Sequence, residues 1–394
     1  WKMPRPRGSR SSLSARSNDR LAPVTTKGFV PPPYPYDRLN EVVAVAENFD
    51  GGSVDLSIGT PFDPPPPAVV AALGSSGAER GYPPSIGTPA FRAAAAEWLN
   101  RLVGIDLDET QTRATIGSKE FVAGLPQWLR LRSPDRDTIL YPAISSPSYE
   151  MGATLGGCRA VAVPVDADWR LDLTAISADD AARALCLWVN TPGNPAGGLD
   201  DLEAAAAWGR ARSVPVFSDE CYIEFTWDGP PRSILEHGLE GVVAVHSLSK
   251  RSNLAGARSG FYAGDPDLLH YLGEVRKHAG FMPPGPVQAA AIAAFADQTH
   301  VEEQRERYRS RLELAQRMVG ALGVEVGLPG GGFYLWAPAP EGDAWAFTER
   351  LATEAGVIVS PGEFYGQQGR HHVRIAVVQP DERLQLAASR LGLA

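Results

Sequence analysis

Cysteine is scarce in this chain. Its three copies, Cys158, Cys186 and Cys221, are odd in number and far apart. They form no CxxC pair, which argues against a zinc site or a disulfide framework and for a reducing, cytoplasmic compartment. Each is expected to pack as a small apolar side chain. Long hydrophobic runs are also missing: no stretch approaches the ~18 apolar residues of a membrane span. An excess of positive charge is absent, with Lys+Arg 37 against Asp+Glu 46 and a net charge of −9. That sets nucleic acid aside as a partner. Neither GxGxxG nor GxxxxGK[ST] occurs, so the glycines at 330–332 read as a turn into a strand rather than a phosphate loop. No internal repeat is visible.

What is present is the composition of an ordinary globular chain of 394 residues, 44% hydrophobic and 21% charged. That length suits a large α/β body with a smaller companion. Residues 1–30 read as a flexible basic tail, "WKMPRPRGSRSSLSARSNDR" followed by a short polar lead. Residues 31–54, which include "PPPYPYDRL", read as a segment lying over an active-site mouth. From about residue 55, short apolar runs alternate with helix-like Ala/Leu/Arg stretches. "TILYPAI" (138–144), "RAVAVPV" (159–165), "ALCLWVN" (184–190), "VPVFSDE" (214–220), "GVVAVHSLS" (241–249) and "SGFYAG" (259–264) are expected strands. Such alternation predicts a three-layer α/β domain with a mostly parallel sheet, over 55–283. The Pro-Gly pair near 283 reads as a hinge into a smaller α+β domain over 284–394. It would hold long helices, the strand "GGFYLWA" (331–337), a helix near 343–355, and "HHVRIAVV".

In sheets of this type polar chemistry collects at the carboxyl ends of strands. There the sequence places Asn190 and then "TPGNPAGG" with Asn194, "SDECY" with Asp219 and Tyr222, and "SLSK" with Ser247, Ser249 and Lys250, followed by Arg258. Upstream, Gly117-Ser118-Lys119 stands where a helix should begin. Taken singly, each has a bland explanation: a surface lysine, a helix cap, a turn, an N-cap. Together they supply what one cofactor needs. A lysine amine forms a Schiff base with an aldehyde. A carboxylate keeps a pyridine nitrogen protonated, so that the ring acts as an electron sink. A phenol and an amide bond the ring hydroxyl. A helix N-terminus, serines and an arginine hold a phosphate. That cofactor is pyridoxal 5'-phosphate. The adjacent His371 and His372, with Glu363, do not make a metal site, because neighbours in a strand point to opposite faces.

On "YPPSIGTPAFR", "GSKE", "NTPGNPAGG", "SDECY", "SLSKRSNLAG.R.G" and "VRIAV", in that order from Leu56 onward, the chain resembles the class I/II aminotransferases of fold type I. Across "VHSLSKRSNLAG", "VRKHAG", "PPGPVQAA" and "EQRERYRSR" it is most similar to the actinobacterial N-succinyldiaminopimelate aminotransferases. The resemblance implies that Lys250 carries the Schiff base and shuttles the α-proton, and that Asp219 pairs with the pyridinium. Asn194 and Tyr222 would contact the ring hydroxyl. Gly117, Ser118, Lys119, Ser247 and Arg258 would surround the phosphate, with Ser249 nearby, and Tyr149 would adjoin the cofactor. Tyr82 would reach the phosphate of a neighbouring subunit, which implies a homodimer with shared active sites. Arg374 would clamp the substrate α-carboxylate, and Gly59 would let the backbone approach the substrate.

Two positions depart from the family pattern. Ser146, in "SSPSYEMG", replaces an aromatic expected to stack on the cofactor. Ala257 stands where the nearest relatives carry tyrosine. The resemblance therefore implies an aminotransferase using glutamate and 2-oxoglutarate. The departures keep open a repurposed enzyme of specialised metabolism, catalysing elimination, replacement or annulation on a bulky amino acid such as S-adenosylmethionine. A non-catalytic cofactor-binding homologue is the third reading, disfavoured by the presence of both Lys250 and Asp219.

Overall fold

The computed structural model describes residues 28–33 and 35–393. The basic tail expected over 1–30 therefore lies, up to residue 27, outside the described residues. After α1 (Asn40–Ala46) and the short β1 (Val54–Asp55), the helices α2 (Pro67–Ser75) and α3 (Pro89–Val103) lead into β2 (Thr112–Thr115). Strands and helices then alternate through α4 (Ser118–Arg132), β3 (Thr138–Pro142), α5 (Ser148–Leu155), β4 (Arg159–Val163) and α6 (Ala178–Arg183). They continue with β5 (Ala184–Asn190), α7 (Leu202–Arg212), β6 (Val216–Asp219), β7 (Val242–Ser247), α8 (Leu248–Arg251), β8 (Gly260–Gly264) and α9 (Pro266–His278). The large sheet runs β2-β8-β7-β6-β5-β3-β4. Every pair from β7 to β4 is parallel, and β8 is antiparallel to both of its neighbours.

Local chemistry sets these elements. Thr88 caps α3 by accepting from the Phe91 amide, Pro89 occupies the first turn, and Gly104 ends the helix in the left-handed region at φ 72. All seven residues of β5 are buried, as a strand covered on both faces requires. Two details differ from expectation. β2, "TRAT", is too short and polar to stand out, yet Thr112 and Thr115 are fully buried in it. The strand read through Ser249 ends at Ser247, whose hydroxyl accepts from the Ser249 amide and turns the chain into α8. That turn sets Lys250 just beyond the carboxyl end of β7.

The remaining elements are α10 (Gly285–Ala296), α11 (Thr299–Ala321), β9 (Tyr334–Pro338), α12 (Ala344–Ala355), β10 (Val357–Ile358), β11 (Ser360–Pro361), β12 (His372–Ala376) and α13 (Asp381–Arg390). A three-stranded antiparallel sheet, β11-β12-β9, carries the small domain. The division expected near 283 falls just before α10. α10 is apolar but for Gln288, and its Ala290, Ala291, Ala294 and Phe295 share one core with Phe91 and Trp98 of α3. α10 thus packs against the large body through its buried face, although it follows the expected boundary. At the other end, β1 pairs in parallel with β10, and Val54 and Leu56 belong to the small-domain core. Leu39, Val42 and Ala46 of the N-terminal segment pack with Ala352 and Ile358.

Candidate active site

The carboxyl ends of β5, β6 and β7 meet β12 and the N-terminal segment around a cavity of about 590 Å³. Ser118, Lys119, Ser146, Tyr149, Asn194, Asp219, Tyr222, Ser247, Ser249, Lys250, Arg258, Gly59 and Arg374 all line it. Gly117 stands just outside, and Tyr82 is 96% exposed and away from the cavity within one chain.

Asp219 ends β6. Its Oδ2 accepts from the Tyr149 hydroxyl at 2.8 Å and its Oδ1 from the Cys221 amide at 3.2 Å. Burial pushes the carboxyl up; hydrogen bonds from Cys221 and Tyr149, and the Lys250 charge, pull against that rise. A buried carboxylate so arranged suits a cationic ring nitrogen. Lys250 Nζ donates to the Gly59 carbonyl. Burial, then the charges of Arg374 and Arg258, lower its pKa to about 8, so the share of free amine near physiological pH is far larger than for an ordinary lysine.

The opposite wall is built for an anion. Gly117 caps α4 at φ 71, and a Cβ there would fall 2.1 Å from Arg258 Nη2. Arg258, itself left-handed at φ 56, donates from Nη1 to the Ala255 carbonyl at 2.9 Å and to Ser249 Oγ at 3.4 Å. Ser247 Oγ and Ser249 Oγ lie 2.9 Å apart. Hydroxyls, a guanidinium and a helix N-terminus converge on one bare cradle, which is the donor set a phosphate dianion takes. On these observations the residues present fit pyridoxal phosphate.

Arg374, on β12, is 3% exposed. Its guanidinium lies between the rings of Tyr334 and Tyr365, 4.2 and 4.6 Å from their centroids. Nη1 donates to Asn194 Oδ1 at 2.8 Å, and Nη2 to Tyr36 Oη at 3.1 Å and the Ser57 carbonyl at 2.5 Å. Its Nε has no partner among the described residues. The Tyr222 and Tyr334 hydroxyls are 2.8 Å apart. At Gly59 a Cβ would lie 2.1 Å from the Tyr334 hydroxyl, so glycine there lets the loop close over that ring.

Some of the lining was not foreseen. Tyr36, Thr60, Cys221 and Tyr334 also face the cavity. Tyr334 opens the strand after the glycine run, and β9 alternation could have directed it inward. Cys221 is no bland core residue: its thiol donates to Ser118 Oγ at 3.4 Å. Ala257, by contrast, does not line the cavity; it packs at the edge of the large core, while Ala255 and Gly256 face the site. Of the two small positions, only Ser146 lines the cavity. His371 Nδ1 pairs with the Gly342 carbonyl at 2.8 Å, and the His372 ring stacks on Trp336 at 5.2 Å. Among the described residues no cluster of three His, Cys, Asp or Glu forms a metal site, and no helix is long and apolar enough to cross a membrane.

Known proteins place this geometry. The model of the aminotransferase class I and II family matches residues 52–391. The 4-dedimethylamino-4-oxo-anhydrotetracycline transaminase OxyQ of Streptomyces rimosus is 40% identical, over 91% of this chain and 99% of its own. A probable aminotransferase of Mycobacterium tuberculosis is 39% identical, over 94% of this chain and 88% of its own. Among solved structures, a probable N-succinyldiaminopimelate aminotransferase from Thermus thermophilus superposes with a TM-score of 0.81 at 32% identity, covering 90% of this chain and 98% of that one. The chain belongs to the aminotransferase class I and II family, a family of enzymes that depend on pyridoxal phosphate.

Proposed function

We propose that this enzyme moves an amino group between L-glutamate or 2-oxoglutarate and a second, larger substrate. The observation that carries the reading is one cavity holding a Lys250 amine of lowered pKa, a buried Asp219 carboxylate and the ring-flanked Arg374 guanidinium. Pyridoxal phosphate supplies an aldehyde that condenses with amines and a ring that delocalises the electrons left when the α-proton departs. The chain supplies the rest. Arg374 pairs with the α-carboxylate of the amino acid and so fixes the α-carbon. Lys250 Nζ takes the α-proton, which requires the free amine that its lowered pKa provides. Asp219, oriented by Tyr149, holds positive charge on the ring nitrogen. Asn194 and Tyr222 bond the ring hydroxyl, and Gly117, Ser118, Lys119, Ser247, Ser249 and Arg258 hold the phosphate. The exposed Tyr82 reaches the phosphate of a second copy, so the working form is a homodimer.

The larger partner is suggested by Ser146, which leaves open the place where a ring was expected, and by OxyQ, whose name describes a ring ketone. The same opening supports elimination, replacement or annulation on a bulky amino acid as the second reading. The test is the absorbance of the cofactor-loaded protein before and after L-glutamate, with the cofactor identified by mass. Pyridoxamine phosphate formation supports transamination. A cofactor recovered only as pyridoxal phosphate counts against glutamate, and amino acids with a side-chain leaving group become the next substrates to test.

A further inference from the structure

A transaminase must pass two substrates through one cavity, and on the reading proposed above they differ in the group that Arg374 recognises. The amino donor brings an α-carboxylate; a ring ketone brings none. A buried guanidinium left short of partners opposes binding of any ligand that also expels water. Here Arg374 has an internal substitute. Tyr36 enters from the N-terminal segment, accepts from Arg374 Nη2 at 3.1 Å, and lies 2.7 Å from the Tyr365 hydroxyl. Its ring is held edge-on against Phe364 at 5.5 Å. The segment behind it is fixed by Leu39, Val42 and Ala46 in a small-domain cluster. Tyr36 itself faces the cavity, so an incoming ligand can meet its hydroxyl.

The other two partners of Arg374 are differently placed. The Ser57 carbonyl is backbone and cannot leave. The Asn194 side chain belongs to a turn fixed from β5, where the Asn194 amide donates to Asn190 Oδ1 at 2.9 Å. Of the three partners, only the Tyr36 hydroxyl combines an acceptor for Arg374 with a second hydroxyl, that of Tyr365, to which it can turn. We infer that the Tyr36 hydroxyl is a specificity-determining competitor for Arg374, yielding to a substrate carboxylate and staying paired when the substrate has none. This rests on the transaminase reading only for the identity of the two substrates; the competition itself is a binding equilibrium.

Tyr36→Phe tests it, because the ring and its packing remain. The probes are succinate, an unreactive dicarboxylate, and cyclohexylamine, a carboxylate-free ring amine, each titrated into the cofactor-loaded protein and followed by the cofactor absorbance. Succinate no longer has to displace a hydroxyl and is expected to bind about three- to tenfold tighter, the worth of one charge-assisted hydrogen bond. Cyclohexylamine, which now dries an under-paired guanidinium, is expected to bind weaker by a similar factor. Thermal unfolding of the variant, unchanged, shows that the segment is still seated. Opposite shifts for the two probes support the inference. Equal weakening of both means that Tyr36 only props the segment, and overturns it, as does unchanged succinate affinity or no succinate binding to either protein. Pyridoxamine phosphate formation from glutamate by the unaltered enzyme is scored separately, so failure of the transaminase reading is not confused with failure of this one.

Discussion

The Tyr149 hydroxyl donates to Asp219 Oδ2 at 2.8 Å in the wall of the cavity. Its own pKa is pushed well up, first by burial and then by the Asp219 charge, so it stays a donor. Tyr149→Phe removes one of the contacts that hold the Asp219 carboxyl down against burial. A hydrogen bond to a charged group is worth about 1.5–3 kcal/mol, so cofactor affinity should fall by roughly tenfold or more. Titration of the cofactor-free variant with pyridoxal phosphate, followed by absorbance, measures this. Unchanged affinity would assign the ring nitrogen to another group.

Much of this site was legible because strand ends are short and their neighbours are fixed by the backbone. Once β5, β6 and β7 are read as parallel neighbours, their carboxyl ends must lie together: Asn190 pairs with Asp219 and Asp219 with Val245, two residues before Ser247. What lay outside local pattern was harder to see. Tyr36 and Arg374 are 338 residues apart in sequence and meet through tertiary packing alone. α10 followed a Pro-Gly pair that looked like a hinge, yet its buried face packs into the large core. Ala257 adjoins Arg258 in sequence, but the left-handed turn at Arg258 sends the two side chains to different surroundings.

The cradle at Gly117 offers a sharper test because another glycine serves as its control. Gly117→Ala places a methyl 2.1 Å from Arg258 Nη2 and 2.6 Å from its Cζ. Gly104→Ala has a similar φ of 72 but nothing within 4 Å of the added atom. Both variants pay the left-handed penalty of about 1–2 kcal/mol in stability. Only Gly117→Ala should also displace the guanidinium and weaken cofactor binding, by an expected tenfold or more for a lost charged contact. Equal cofactor affinities in the two variants would remove Arg258 from the phosphate site.

Lys250 makes a prediction about pH. In the folded, cofactor-free protein its pKa is about 8, against an ordinary 10.5. Between those values the unfolded chain binds more protons than the folded one, so the Lys250 contribution to stability rises with pH through that window. The sign is that of a base whose charge is disfavoured by folding. Denaturant unfolding of the cofactor-free protein and of Lys250→Met, from pH 7 to pH 10, should show the unaltered protein gaining on the variant by roughly 3 kcal/mol. A constant difference across that range would mean that the amine is not desolvated. In the cofactor-loaded form, Lys250→Met should abolish the borohydride-reducible link and lower turnover by about 10²–10⁴-fold or more, the contribution of a general base.

Ser146 and Ala257 are now separable, though the resemblance implied a ring at both positions. Ser146 lines the cavity, with its Oγ 3.3 Å from Ser148 Oγ. Ser146→Tyr should restore a ring beside the cofactor, worth about 0.5–1.5 kcal/mol in stacking, while filling space that a large substrate would use. The expected result is stronger cofactor binding, a retained glutamate reaction, and a loss of at least tenfold in kcat/KM for bulky amines such as S-adenosylmethionine, if one proves to be a substrate. Ala257→Tyr should leave that ratio unchanged, because the added ring meets the core edge rather than the cavity. It should instead cost about 1–3 kcal/mol of stability from overpacking. Measuring kcat/KM for both substrate classes alongside unfolding free energy tells the two positions apart. A selectivity change at Ala257 with none at Ser146 would reverse the assignment and place the substrate on the other side of the Arg258 turn.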